Sequence, residues 1–357
     1  MTQARPSAVT VAVIGAGEDA GRWTRALRGV EGVRAEQPAG QPDDQLLEGL
    51  SRKDVAAVAF AGPIADAAVA LKRAVMAGRH VLVATPLALA SRQLLGLDDL
   101  AQRRERVMLF DSPLPGDEQV AFVRKMTQGP NALWRPRYVR ALHTGAAEGQ
   151  TLDELAMAET HAVLSITGGI PSRVSAVAPR VDDESGAAPA AMLTLVFEDG
   201  PVARIDVSLL EPEPRQEIIV ACEGRTFAID LLDGRTPLRI LAGARHRGPQ
   251  RGDSWAETVS EHPMAARRDH AAAVAQAFIT AVRARDRQAS NAREWASAAL
   301  VWERARESMA QGGELLPVGS AEEAGGRVRP SLKVLEGGGR SEGAMSVPEL
   351  TVVERSG

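Results

Sequence analysis

The chain has 357 residues, long enough for two domains of ordinary size, and its 45% hydrophobic and 25% charged residues are those of a globular protein. A formal net charge of −4 gives no electrostatic footprint for nucleic acid, and no apolar run is long enough to span a bilayer, so neither nucleic acid nor a membrane is an expected partner. The single cysteine, Cys222, excludes an intramolecular disulfide and a cysteine-built metal site.

Aromatic residues make up only 3%, so the core must rest on Val, Leu, Ile and Ala. The N-terminus lacks a signal-peptide pattern, and a cytoplasmic protein is expected. Cys222 reads as a small buried hydrophobe in a strand. The first half alternates two kinds of segment. "VTVAVIGAG" (Val9 to Gly17) is a β-branched run ending in glycines, as in a buried parallel strand. "DAGRWTRALRGV" reads as a helix, "GVRAEQ" as a weak strand and "PDDQLLEGLSR" as a short helix. "VAAVAFAG" is a second buried strand. The helix "IADAAVALKRAVMAG" follows, with Gly78 as its C-cap. "RHVLVAT" is a strand, "SRQLLGLDDLAQRRE" a helix and "RVMLFDS" a strand. This alternation predicts a doubly wound parallel sheet.

The second half changes rhythm. After the helix "DEQVAFVRKMTQG" come the strands "RPRYVRALHTG", "SRVSAVAPRV", "AAMLTLVFEDG", "PVARIDVSLLE", "RQEIIVACEG", "RTFAIDLLDG" and "PLRILAG". Turn signals such as Asp199-Gly200 and Asp233-Gly234 favour hairpins, so this sheet is expected to be large and mostly antiparallel. The helix "LDELAMAETHAVLSITG" falls before most of it, and the helices "DHAAAVAQAFITAVRAR" and "AREWASAALVWERARESMAQG" follow it. From about Ser320 the chain is Gly- and Glu-rich and reads as a flexible tail.

The stretch Gly15-Ala16-Gly17-Glu18-Asp19-Ala20-Gly21 follows a strand and opens a helix, the context a G-x-G-x-x-G/A fingerprint needs. Gly15 allows a sharp turn, Gly17 and Ala16 bring backbone close to a pyrophosphate, and Ala20 lets helix and strand pack. The helix N-terminus then faces the anion. An acidic residue about 20 positions on should hold the ribose hydroxyls. Glu36 is that residue, or else a solvated loop carboxylate. The loop does not distinguish NAD from NADP.

These segments resemble the Gfo/Idh/MocA oxidoreductases, the family of glucose–fructose oxidoreductase and inositol dehydrogenase. The resemblance runs from about Val9 to Val318. It is carried by "VAVIGAG", "KDVAAVAFAGP", "AVMAGRHVLVATPLAL", "DELAMAETHAVLSITGG-IPSRVSAV" and "VWERARESMAQGGELLPV", the last with Ser308 and Gly312. It implies a Rossmann dinucleotide-binding domain at 1–118 and an α+β domain at 119–319. The second domain would serve substrate binding and oligomerisation, its last helices packing back toward the first, and 320–357 would be the tail. It also implies NAD or NADP, hydride transfer to or from a sugar, cyclitol or similar small compound, and a homo-oligomer formed through the second domain's sheet.

The family's site has a Glu-Lys-Pro triplet and an Asp-x-x-x-His motif. Hydride transfer creates or consumes an alkoxide, so a proton must move with it. Here the triplet reads Ala84-Thr85-Pro86, with the uncharged Thr85 at the lysine position and Pro86 kept beside the cofactor. His161 matches the histidine, but Met157 holds the aspartate position, and Asp153 lies two helical turns before His161. Glu159 falls on another face of the helix. His161 is therefore either the surviving acid–base group or a histidine hydrogen-bonded within the interdomain surface. His143 reads as an exposed turn histidine or a cleft residue, Tyr138 as sheet packing, and Asp111 as a ligand-end or loop-capping carboxylate. Asp269 with His270 reads as a helix start. Trp295 and Trp302, seven apart, form a core or interface stripe, and no spacing suggests a metal site. The chain reads either as an NAD(P)-dependent oxidoreductase with an altered proton relay, or as a family member that has lost catalysis and binds, senses or partners.

Overall fold

The computed structural model describes residues 8–62, 66–84, 87–112, 114, 116–129, 132–145, 150–179, 188–198, 200–233, 238–246, 254–261 and 269–319, with the backbone alone over 242–246 and 254–261. The chain divides into two compact units. The first holds the chain through Gly116 and the segment Arg268–Glu303; the second holds Asp117–Arg267 and Arg304–Gly319. The tail expectation, Asp199 and Gly234 lie outside the described residues.

The first unit is built on five parallel strands in the order β2-β1-β3-β4-β5. They are β1 (Val9–Ile14), β2 (Val33–Glu36), β3 (Val55–Phe60), β4 (His80–Val83) and β5 (Met108–Phe110). Helices α1 (Gly17–Arg28), α2 (Pro42–Ser51), α3 (Ala67–Met76) and α4 (Ser91–Arg103) alternate with them. The central strands are buried almost without interruption, at Val11, Val13, Val58, Ala59, Phe60 and Leu82, because helices cover both faces. Gly78, with φ +78, turns the chain out of α3. α1 turns Ala20, Trp23 and Leu27 inward, and α7 (His270–Ala284) adds Ala275, Phe278 and Ile279 to the same core. Burying each of the larger side chains stabilises the unit by roughly 1.5–3 kcal/mol.

β5 is the edge strand, and side chains substitute for the missing neighbour. Asn291 accepts a hydrogen bond from the Phe110 N–H at 2.8 Å and donates one to the Phe110 carbonyl at 2.9 Å, while Ser290 Oγ accepts from the Met108 N–H at 3.1 Å. The amide thus completes the ladder and hides the edge. Asn291 is buried, so Asn291→Ala strands two backbone groups and is expected to cost roughly 3 kcal/mol in urea unfolding. A loss well under about 1 kcal/mol would mean that water replaces the amide. Trp295 and Trp302 on α8 (Ala292–Ala310) are both buried, with the Trp295 ring 6.4 Å from that of Phe110.

The second unit carries a nine-stranded sheet in the order β13-β12-β11-β10-β6-β9-β8-β7-β14. Its strands are β6 (Pro136–Thr144), β7 (Arg173–Val177), β8 (Ala190–Val196), β9 (Val202–Ser208), β10 (Arg215–Cys222), β11 (Arg225–Asp230), β12 (Leu238–His246), β13 (Ser254–Glu261) and β14 (Leu316–Pro317). Every pairing is antiparallel except β6 with β9. β13 and β14 are additions to the strands expected from the sequence. Burial alternates: Ala191, Leu193, Leu195, Ala203, Ile205 and Val207 are buried, while Met192, Val202 and Arg204 face out. α6 (Leu152–Thr167) packs across β6, β9 and β8 with α5 (Glu118–Thr127) beside it.

α6 starts at a capping box. Thr151 Oγ1 accepts from the Glu154 N–H, and Glu154 accepts from the Thr151 N–H at 3.0 Å. It stops at Gly168, φ +77. Ser308 is buried where α8 meets β7, accepting from the Ala176 N–H at 2.9 Å and donating to the Glu314 carbonyl at 2.6 Å.

Two expectations are corrected. Tyr138 is 37% exposed on the outer face of the sheet rather than packed. Cys222 closes β10 half-buried rather than buried, and burial still pushes its thiol up to about 11.

Candidate functional site

In the first unit the glycine loop leaves β1 at the point where strand order reverses between β1 and β3, the place where open α/β sheets bind ligands. Gly15 has φ +149, and a Cβ there would lie 2.0 Å from the Ala61 carbonyl oxygen, just past the end of β3. Gly62, with φ +141, faces it from the β3 side. No side chain at Gly15 therefore closes the crevice mouth. Two glutamines hold the loop. Gln45 Oε1 accepts from the Gly15 N–H at 2.9 Å, and Gln37 Nε2 donates to the Gly15 carbonyl at 2.8 Å. Sequence reading missed both, since each is 22 or more positions from Gly15.

Gly17 opens α1 with φ +72 and open space where a Cβ would stand. The N-cap, Ala16, brings no side-chain oxygen to the first amides of α1, and Ala20 is fully buried where helix meets strand. This cradle fits a pyrophosphate: backbone approaches closely, and amides and the helix dipole face an anion. Glu18 and Asp19 in the first turn oppose that field.

Glu36 ends β2, and its carboxylate accepts from Arg52 Nη1 at 2.6 Å, with Arg34 Nε 3.9 Å away. Arg52 also binds Asp54 at 2.7 Å; the Asp54 and Glu36 hydrogen bonds raise the Arg52 guanidinium further, and Arg52 lowers the Asp54 carboxyl. Glu36 is thus an ion-paired carboxylate at the strand end. At the end of β5, Asp111 Oδ1 stands 2.6 Å from His270 Nε2. Asp269 caps α7, accepting from the Ala271 and Ala272 N–H groups. Thr85 and Pro86 lie outside the described residues. Ala84 before them continues the ladder, its N–H donating to the Phe60 carbonyl at 2.7 Å.

In the second unit His161 is 2% exposed on α6, and Met157 one turn earlier is equally buried. Asp153 reaches toward Arg306 Nη1, 3.7 Å away, instead of toward His161. A different histidine is placed for chemistry. Along β6, Val139, Ala141 and His143 alternate onto the face that α6 covers. Register sets Gln216 of β10 opposite His143, continuing the buried row of Ile218 and Val220. Glu159 of α6 completes the cluster. Its Oε1 lies 2.9 Å from His143 Nδ1 and accepts from Gln216 Nε2 at 2.8 Å. Glu159 is wholly buried, and the His143 side chain is 16% exposed.

His143 is therefore no exposed turn residue, and Glu159, set aside in the sequence as lying on the wrong face, meets it. The signal was present locally: a V-x-A-x-H alternation, and a lone carboxylate in the apolar "AMAETHAV". The pairing itself joins residues 16 and 57 positions apart.

No protein-family model matches the chain, and no curated protein matches it. Solved structures do. GenD2 from gentamicin A biosynthesis, in complex with NAD, is 18% identical, with 90% of this chain and 99% of that one covered and a TM-score of 0.69. This is the Gfo/Idh/MocA fold. The UDP-N-acetylglucosamine 3-dehydrogenase GnnA from Acidithiobacillus ferrooxidans is 20% identical over 84% of this chain and 96% of its own, with a TM-score of 0.66. An oxidoreductase from Pseudomonas syringae is 14% identical over 88% and 99%, with a TM-score of 0.69. As expected from the sequence, a parallel Rossmann-type sheet and a large, mostly antiparallel sheet make up the Gfo/Idh/MocA fold in this chain. Among the described residues no helix is long and apolar enough to cross a membrane, and no group of three or more His, Cys, Asp or Glu is placed to hold a metal ion.

Proposed function

We propose that the protein is an NAD(P)-dependent oxidoreductase acting on a hydroxyl or carbonyl group of a sugar, cyclitol or similar small molecule in the cytoplasm. The observation that carries this reading is the Gly15–Ala61 approach at the β1/β3 switch point, a cradle that any side chain would fill. Solved structures of the same fold include a complex with NAD and a nucleotide-sugar dehydrogenase. In this reading Gly15, Ala16, Gly17 and Ala20 shape the pyrophosphate cradle, Pro86 shapes the nicotinamide end, and Glu36 meets the adenosine ribose. A bound nicotinamide supplies the hydride acceptor or donor. By the resemblance, the catalytic roles fall to Thr85, as an uncharged hydrogen-bond donor, and to His161.

Titration of the purified protein with NADH and NADPH, followed by fluorescence and thermal shift, tests this. Binding of at least one is expected; no response to either at millimolar concentration overturns the reading in favour of a non-catalytic relative. Glu36→Ala is expected to raise the Kd for NADH about tenfold, the loss of one charge-assisted hydrogen bond. NADPH should be spared, because Arg34 and Arg52 lose the carboxylate they now neutralise. An unchanged Kd for NADH removes Glu36 from the cofactor site.

The exposed face of the large sheet supports self-association. Tyr138 stands beside Val202 in the register, and Val177 beside Met192, all on the outer face. A second copy covering this face would bury that apolar surface.

A further inference from the structure

The oxidoreductase reading needs a group that exchanges a proton with the substrate oxygen. The positions that supply it in the resemblance hold Thr85, which carries no charge, and His161, which is 2% exposed. The second unit contains another histidine, oriented by its neighbours. Glu159 Oε1 is met by two side chains, His143 Nδ1 at 2.9 Å and Gln216 Nε2 at 2.8 Å. His143 Nδ1 and Gln216 Nε2 are 3.2 Å apart, because both point at the same oxygen. A carboxylate only accepts, so Nδ1 carries the proton of neutral His143 and Nε2 is left as the basic nitrogen. Glu159 Oε2 is buried and has no hydrogen-bond partner among the described residues. Burying a carboxylate with half its capacity unused is costly, and such exceptions concentrate where a ligand or water completes the set.

We propose that His143 Nε2 is the acid–base group that takes the substrate hydroxyl proton, with Glu159 and Gln216 as the positioning residues that fix its tautomer and orientation. The proposal rests on the oxidoreductase reading. In the oxidation direction His143 Nε2 would take the proton as the substrate O–H bond breaks, becoming an imidazolium that faces the Glu159 carboxylate. A nicotinamide, when bound, would supply the acceptor of the carbinol hydride, and the substrate would leave as the carbonyl compound. Reduction runs the same steps backward. The arrangement is that of a carboxylate-oriented histidine base, built on a helix and two strands of one sheet.

The tautomer tests the pair without a substrate. In full-length protein labelled with ¹⁵N-histidine, at a pH where His143 is neutral, its long-range ¹H–¹⁵N correlations should show Nδ1 protonated and Nε2 bare. His143→Gln assigns the signals. The isosteric Glu159→Gln should erase the preference while thermal melting stays near that of the parent. A protonated Nε2 in the parent overturns the proposal. Turnover provides the second readout, on whichever compound of a sugar and cyclitol panel the parent oxidises. His143→Gln should lower kcat about a hundredfold, as for loss of a general base, with KM and nicotinamide affinity within about threefold. Added imidazole should restore part of the rate to His143→Ala. A His143→Gln enzyme within about threefold of the parent kcat overturns the proposal and returns the role to His161. A parent protein that binds no nicotinamide overturns the oxidoreductase reading instead, and a bare Nε2 would then still support the oriented pair.

Discussion

Replacing Gly15 with alanine is expected to lower stability by roughly 3 kcal/mol and to abolish nicotinamide binding. Two costs add. The residue has φ +149, a backbone conformation that L side chains rarely adopt, and the new methyl would sit 2.0 Å from the Ala61 carbonyl oxygen. That oxygen belongs to backbone at the end of β3, so it cannot rotate away as a flexible side chain would. Relief requires β1 and β3 to part at the point where the dinucleotide would enter, which couples the stability loss to the binding loss. Gly17→Ala is the control. Its φ is +72 but its Cβ would meet open space, so only the left-handed backbone penalty of about 1–2 kcal/mol applies. Urea unfolding and NADH titration of the two variants separate the effects. Equal stabilities would show that the β1/β3 crevice is wider than the contact implies.

Acidification should destabilise the protein through His80 by about 3 kcal/mol between pH 7 and pH 4. His80 opens β4, is 9% exposed, and accepts a hydrogen bond at Nδ1 from the Val107 N–H at 3.0 Å. Burial first, then the charges of Arg106 and Arg285, pushes its pKa down to about 4. The folded protein therefore keeps this imidazole neutral where the unfolded chain, near 6.5, already binds a proton. The unfolded state holds more protons between those values, so stability is complete above about pH 6.5 and is lost as pH falls toward 4. Carboxylates titrate in part of this window, so the informative quantity is the difference from His80→Asn. The parent should lose about 3 kcal/mol more than the variant over that range. Parallel pH profiles would show that water reaches the imidazole.

The two sheets differ in how far the sequence alone specified them. "VTVAVI", "VAAVAF" and "HVLV" are buried on both faces, so each is a continuous apolar run that announces a parallel strand under helices. In "AAMLTLV" and "VARIDVS" one face is covered, and the alternation is local and legible. Periodicity, caps and turn residues act over a few positions, and they determined most of the elements, their succession along the chain and the dinucleotide-type loop, but not β13 or β14. Asn291 against Phe110, Gln45 against Gly15, and Glu159 with His143 and Gln216 were beyond that reach. Each rests on register between segments distant along the chain, and hydrogen bonding is decided by position in space rather than by residue type. The sequence thus placed a histidine at the end of the β6 segment and a glutamate within the α6 segment, without setting either on a shared apolar face. Only the tertiary structure, by laying that helix across that strand, decided that the two residues meet.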